Sequence, residues 1–243
     1  MNILLTNDDG YKADGLIFLK EYFESKDYNV FVVAPDSEKS GFSHSVTLKD
    51  TIRLVYHKDN VWALRGTPAD CVNVALLGLV EQKIDIIVSG INHGPNIGKD
   101  IIYSGTVGAA RQGALQNIPS IAFSVNSWGE EIEFENIKYF LDNYFERLMQ
   151  KNTGNFLYNV NFPNIHPSLL KGVKQTVPCH HHFYQDKLLC FDSGNNGKYF
   201  WIKGDHPIFE KDEKTDADAM KNGYISVTAV KILPEAYEID LGI

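Results

Sequence analysis

Short apolar runs, each stopped by a polar or glycine-rich turn and separated by helical periodicity, constrain this chain more than any other feature. Ile3 to Thr6 ends in the turn Asn7-Asp8-Asp9-Gly10, and Asn29 to Ala34 is stopped by Pro35. Ile84 to Ser89 runs into Gly90, and Pro119 to Val125 follows a Gly- and Ala-rich helical stretch from Ser104 to Gln116. Runs apolar on both faces, such as Val30-Phe31-Val32-Val33, fit strands of a parallel sheet covered on two sides. Between them Leu16, Leu19 and Phe23 recur at helical spacing; Phe134, Ile137, Leu141, Phe145 and Leu148 do so before a further strand, Phe156 to Phe162. Thr67-Pro68-Ala69-Asp70 reads as a helix start, with Thr67 as cap, Pro68 in the first position and Asp70 near the positive helix end. The alternation predicts an α/β, doubly wound, mostly parallel sheet with ligands at the carboxyl ends of its strands.

Val46 to Tyr56 and Val61 to Leu64 read as less regular strands. After Pro163 the pattern changes: Val173 to Val177, Leu188 to Phe191, Tyr199 to Ile202 and Tyr224 to Val230 are short runs between Gly, Asn and Asp turns. They predict a C-terminal antiparallel β extension with one short helix near Asp216 to Asn222. Residues 1–163 are therefore the α/β core carrying the site, and 164–243 an extension with a short tail, assigned to oligomerisation.

Composition narrows the function. With 44% hydrophobic and 22% charged residues the chain can bury a core, which excludes disorder. The net charge of −8, without a Lys/Arg cluster, argues against duplex nucleic acid as a partner. Nowhere do about 18 apolar residues run together, so no membrane partner is expected. The three cysteines (Cys71, Cys179, Cys190) are too few for a disulfide framework, and Met1 to Asp9 lacks the pattern of a secretion signal. Cytoplasmic localisation is the expectation.

Polar groups collect at one rim of the sheet. The first strand ends in Asp8 and Asp9, the second in Pro35 to Gly41 with Ser40, and the strand from Ile84 in Gly90-Ile91-Asn92-His93-Gly94-Pro95-Asn96. Adjacent carboxylates repel unless a cation neutralises them, and a hard divalent ion takes oxygen ligands of these kinds. The competing reading is a plain Asp-Asp-Gly turn. Tyr103-Ser104-Gly105-Thr106 opens a helix after this loop, where free N–H groups and two hydroxyls make a phosphate cradle, unless Ser104 is an ordinary cap. Neither G-x-G-x-x-G nor the Walker pattern is present in Gly90 to Gly98, so dinucleotide and P-loop readings lack support.

Several motifs in one order carry a resemblance. They are Asn7-Asp8-Asp9-Gly10, Ala34-Pro35-Asp36 with Ser40-Gly41, Gly66-Thr67-Pro68-Ala69-Asp70-Cys71, and Ser89-Gly90-Ile91-Asn92 running on to Tyr103-Ser104-Gly105-Thr106. Together with Thr215-Asp216 and Gly223-Tyr224-Ile225-Ser226-Val227-Thr228 they resemble the SurE family of metal-dependent nucleotidases. The resemblance implies a Rossmann-like core, a homodimer or homotetramer, and one divalent cation, Mg²⁺ or Mn²⁺, on Asp8, Asp9, Ser40 and Asn92. It places Asn96, Ser104, Gly105 and Thr106 at the phosphate of a nucleoside monophosphate, with Asp8 and Asp9 catalytic. The implied reaction is hydrolysis of nucleoside 5′- or 3′-monophosphates to nucleoside and phosphate. Ala229 departs from the family's usual Pro, and fourteen residues, Val230 to Ile243, follow it.

Rival readings are a Mg²⁺-binding receiver-type signalling domain and a non-catalytic nucleotide-binding module. A receiver needs a phospho-accepting Asp where this chain has Asn92. An aspartyl-phosphate phosphatase needs D-x-D, whereas Asp8 and Asp9 are adjacent. Cys179-His180-His181-His182 lacks zinc-ligand spacing and reads as a solvated loop. His44 and His93 read as loop residues near the site, Lys211 to Asp218 as an exposed charged face, and Trp62, Trp128 and Trp201 as packing.

Overall fold

The apolar runs become strands because successive residues face opposite helical layers. The chain, a computed structural model describing residues 1–180, 182–183, 186–194, 197–204, 208–209 and 212–236, begins with β1 (Asn2–Thr6), α1 (Asp14–Glu24) and β2 (Asn29–Pro35). It continues through β3 (Arg53–Lys58), β4 (Val61–Arg65), α2 (Pro68–Val74), β5 (Ile86–His93), α3 (Asp100–Tyr103) and α4 (Gly105–Leu115). β6 (Ser120–Asn126), α5 (Phe134–Phe140), α6 (Glu146–Lys151), β7 (Phe156–Pro163) and β8 (Val173–Gln175) follow. The last elements are β9 (His182–Phe183), β10 (Lys187–Asp192), β11 (Lys198–Lys203), β12 (Ile208–Phe209), α7 (Asp216–Lys221) and β13 (Ile225–Lys231).

Ile3 and Leu5 of β1 pack with Leu16, Leu19 and Phe23 of α1, while Leu4 packs on the other face with Cys71 and Val72 of α2 and Ala109 of α4. Such two-sided burial, worth roughly 1.5–3 kcal/mol per large side chain, explains why these strands lack polar alternation. The nine-stranded sheet has the order β3-β4-β2-β1-β5-β6-β7-β13-β8. From β4 to β7 all neighbours are parallel. The chain winds one way from β1 to β2 and the other way from β5 onward, so the topological switch point lies between β1 and β5. This is the Rossmann-like doubly wound fold.

Several elements differ from the sequence reading. Val46 to Ile52 is a loop: the Thr47 N–H and hydroxyl donate to the Asp70 carboxylate at 2.8 and 2.6 Å, side-chain bonds replacing a strand ladder. Of the four C-terminal runs, β13 joins the main sheet antiparallel to β7, and β8 lies parallel to β13. Between these two neighbours Ile225 to Thr228 of β13 are buried. The β10–β11 hairpin and the β9–β12 pair are the antiparallel pieces outside that sheet.

Cys179 is not solvated but buried against Ile97 and Ala217, while His180 is exposed. His181 and Lys211 lie outside the described residues, as does the tail segment 237–243, and the side chain of His182 is not described. Thr215 to Asp218 is buried rather than an exposed charged face, because Asp216 caps backbone groups on three segments. Trp62 packs in the core, but Trp128 and Trp201 are exposed. Among the described residues no helix is long and apolar enough to cross a membrane.

Candidate active site

The turn after β1 is closed by its own asparagine. Asn7 Nδ2 donates to the Gly10 carbonyl and Asn7 Oδ1 accepts from the Gly10 N–H, at 2.9 and 3.1 Å. Gly10 holds φ near +102°, a conformation L side chains rarely adopt. The turn projects Asp8 toward the start of α4. There its carboxylate accepts from the Thr106 hydroxyl and from the backbone N–H groups of Thr106 and Gly105. A Cβ at position 105 would stand 2.9 Å from Asp8 Oδ2, so glycine is what lets the carboxylate reach the helix start. Burial raises the Asp8 carboxyl above its ordinary range, and these donors oppose the shift.

Asp9 is differently placed. It accepts from the His93 backbone N–H, but Asp9 Oδ2 is buried without a hydrogen-bond partner among the described residues. Burial, then the charges of Asp8 and Glu38, push its carboxyl up to about 7. A buried carboxylate oxygen with no donor is the observation a cation ligand would leave. The donor set is oxygen-rich and free of thiolate, which fits a hard divalent ion. No group of three or more His, Cys, Asp and Glu gathers among the described residues, so any such site must draw on amide and hydroxyl oxygens.

Asn92 comes from the end of β5, beyond a bulge that sets Ser89 against Ala122 but Asn92 against Ser124. Bulges re-aim side chains at sites of this kind. Asn92 Nδ2 donates to the Gly94 carbonyl at 2.7 Å, which leaves Oδ1 as the amide's acceptor. Ser40 lies in the exposed loop after β2, and its hydroxyl donates to Glu38 at 2.8 Å. That loop is tied to the rim by the Lys39 N–H, which donates to the Asp8 carbonyl at 2.7 Å. Asp8, Thr106 and Gly105 are thus in direct contact; Ser40 is linked to them through its neighbours.

Asn96 is fixed by a network that the sequence reading missed. Its N–H donates to Asn161 Oδ1 at 2.8 Å, its side chain donates to Ser124 Oγ, and its carbonyl accepts from Asn159 and Asn161. Asn159 and Asn161 are fully buried on β7, and two Asn at i and i+2 inside a buried strand were the available signal. Asp216 holds the same loop from the other side, accepting from the Gly98 N–H at 2.9 Å.

Ser104 caps α4: its Oγ accepts from the Val107 N–H at 3.0 Å. Thr106 gives its hydroxyl to Asp8, so the two hydroxyls of the helix start have different local tasks. His44 is half-buried and meets Gln112 Oε1 at 2.7 Å, and burial keeps its imidazole below the usual range. His93 contributes its backbone rather than its ring, which is exposed.

A doubly wound sheet with two adjacent carboxylates at its switch point, Asp8 seated on a helix start, defines a Rossmann-like α/β protein with an oxygen-donor site. The family model described as "Survival protein SurE" matches residues 3–185. A "5'-nucleotidase SurE" of Thermoanaerobacter sp. (strain X514) is 41% identical over 235 residues, covering 95% of this chain and 92% of that one. One from Caldanaerobacter subterraneus subsp. tengcongensis is 37% identical, covering 98% and 94%. The crystal structure of the SurE protein from Aquifex aeolicus superposes with a TM-score of 0.81 at 35% identity, covering 96% of this chain and 94% of that one. This chain belongs to the SurE family.

Proposed function

We propose that this protein is a divalent-metal-dependent phosphomonoesterase, a hydrolase that releases phosphate from nucleoside 5′- or 3′-monophosphates. Relatives that match nearly its whole length carry the nucleotidase name. The observation that carries the mechanism is the unpartnered buried Oδ2 of Asp9 beside an Asp8 locked to a helix start. Asp8, Asp9, Ser40 and Asn92 would hold the ion, Mg²⁺ or Mn²⁺. When bound, the ion supplies Lewis-acid polarisation of the phosphoryl group.

The chain's own residues do the rest. The α4 start fixes Asp8, so no reorganisation is needed when charge develops. One of the two carboxylates, Asp8 or Asp9, orients the attacking water and accepts its proton. Asn96, Ser104, Gly105 and Thr106 line the phosphate position, Asn96 being held rigidly by Asn159, Asn161 and Ser124. Phosphate release from a panel of nucleoside monophosphates, after EDTA and with each metal added back, tests the reading. Turnover that survives exhaustive chelation overturns the metal mechanism, and binding without turnover selects the nucleotide-binding module.

Residues 164–243 serve assembly in this reading. The β10–β11 hairpin exposes Leu188, Phe191, Tyr199, Phe200, Trp201 and Ile202, apolar surface that a second copy would cover in a homodimer or homotetramer. Sedimentation equilibrium measures this directly. The free thiols of Cys71 and Cys190 support a reducing compartment, the cytoplasm.

A further inference from the structure

Beside α1 the sheet edge leaves a groove of about 690 Å³, within the range of roughly 300–1,000 Å³ usual for small-molecule sites. Val32 and Val61 form its floor, and α1 and the β3–β4 hairpin its walls. Register sets Lys58 opposite Val61 and Tyr56 opposite Ala63, so one face of the hairpin brings a ring and an ammonium to the groove. The turn before α1 repeats that pairing. Tyr11 stacks on Tyr56 with 5.2 Å between centroids, and Lys12 Nζ lies 5.4 Å from the Tyr11 centroid. Tyr11 is held from behind, its N–H donating to the Pro35 carbonyl at 3.0 Å.

The charges in the groove do not cancel pairwise. Lys20 is taken up by Glu24 at 2.8 Å, whereas Lys12 and Lys58 have no carboxylate in ion-pair reach among the described residues. Asp59 is the remaining acid of the lining. Two unpaired ammonium groups on a chain of net charge −8 stand beside apolar surface left open, Ile17 at 42% and Tyr56 at 37% exposure.

We propose that this groove is a second ligand site, for a small molecule that joins a flat ring to an anionic group. The ring packs on Tyr56 and Ile17, and the anion meets Lys12 and Lys58. Planar apolar walls select a ring, unpaired cations select a negative charge, and their adjacency selects both in one molecule. A nucleotide and an aromatic acid share this chemistry. The inference goes beyond the nucleotidase reading and does not rest on it, because no residue of the groove belongs to the metal or phosphate positions.

Lysine acetylation read by mass spectrometry tests the groove directly. In EDTA, AMP or salicylate at millimolar concentration should slow acetylation of Lys12 and Lys58 and leave Lys198 on β11 unchanged. Protection by AMP alone assigns the site to a phosphate-bearing ligand, and protection by salicylate alone to a carboxylate. Adenosine and ribose 5-phosphate, each carrying half of the AMP chemistry, should need concentrations about 10-fold higher or more. Tyr56→Ala should weaken protection about 5- to 100-fold while phosphate release stays at the wild-type rate, and Tyr56→Phe should retain protection. Unchanged acetylation of Lys12 and Lys58 with both probes overturns the site, as does equal protection by the two halves. Lysines that are unreactive without ligand and become reactive on dilution also overturn it, placing a second copy of the chain in the groove. Absence of turnover with every metal ends the nucleotidase reading alone, so the two readings fail separately.

Discussion

The hydroxyl of Thr106 is bonded to Asp8 Oδ1, so the first turn of α4 and the end of β1 are locked by side chains 98 positions apart. The backbone N–H groups of Gly105 and Thr106 at this helix start also bond to the Asp8 carboxyl. In the proposed reading Asp8 would thereby be set in place for a cation, and Thr106 would aim a ligand.

Thr106→Val removes that donor and keeps the shape. Mn²⁺ affinity, measured by titration calorimetry, should fall about 10- to 100-fold, the usual effect of losing a group that orients a ligand. Thr106→Ser should restore most of it. Wild-type affinity in the Val variant would show that the bond to Asp8 does not position the ligand.

Gly105→Ala places a Cβ 2.9 Å from both Asp8 Cβ and Oδ2 and 3.2 Å from Pro68 Cγ. Two of these atoms belong to the Asp8 side chain, a ligand in the proposed site. Chemical denaturation should show a loss of roughly 1–3 kcal/mol, with metal affinity falling alongside. Stability lost with metal binding retained would mean that Asp8 moves freely.

Metal-free stability should depend on pH in an unusual direction. The folded Asp9 carboxyl is pushed up to about 7 by burial and by the Asp8 charge, and Asp8 is raised as well. The folded chain then binds more protons than the unfolded one above about pH 4, so stability falls as pH rises through about 7, where Asp9 ionises. For Asp9 the loss is at most about 4 kcal/mol. Thermal melting in EDTA from pH 4.5 to 8.5 checks this, and Asp9→Asn should flatten the profile. A wild-type midpoint that rises across that range contradicts the buried-carboxylate account.

Asn161→Ala strips Asn96 of the acceptor for its N–H and of one donor to its carbonyl. Leaving the buried Asn96 N–H unpaired, while Asn159 still donates to its carbonyl, should lower stability by about 1–3 kcal/mol. If Asn96 contacts the phosphate, KM should rise more than kcat falls. Unchanged steady-state constants would confine the Asn161 network to folding.

Much of the core was legible from sequence because its signals are local. Leu16, Leu19 and Phe23 repeat at helical spacing and are all buried, and the Thr67–Asp70 capping box is present as read. The rim itself followed from the strand directions. What was not legible depends on partners far along the chain. Thr47 leaves the strand pattern for Asp70, 23 residues away, and β13 finds β7 across more than 60 residues. Asn159 and Asn161 look like interruptions of an apolar strand until the Asn96 loop is laid across them. Cys179 sat in a run of histidines that suggests solvent, and only its packing on Ile97 and Ala217 shows otherwise.

The lateness of β13 and Asp216 in the chain has a consequence for biosynthesis. Residues 1–163 can leave the ribosome with every parallel strand of the winding, but the open edge of β7 is covered only when Ile225–Lys231 emerges. The loop bearing Asn96 likewise receives its second tether, Asp216 to Gly98, from the last eighth of the chain. A nascent chain arrested before that point would lack that tether, and its Asn96 loop would be fastened on one side only. The Asn96 loop is therefore fully fastened only near the end of synthesis, after the parallel strands of the core have emerged.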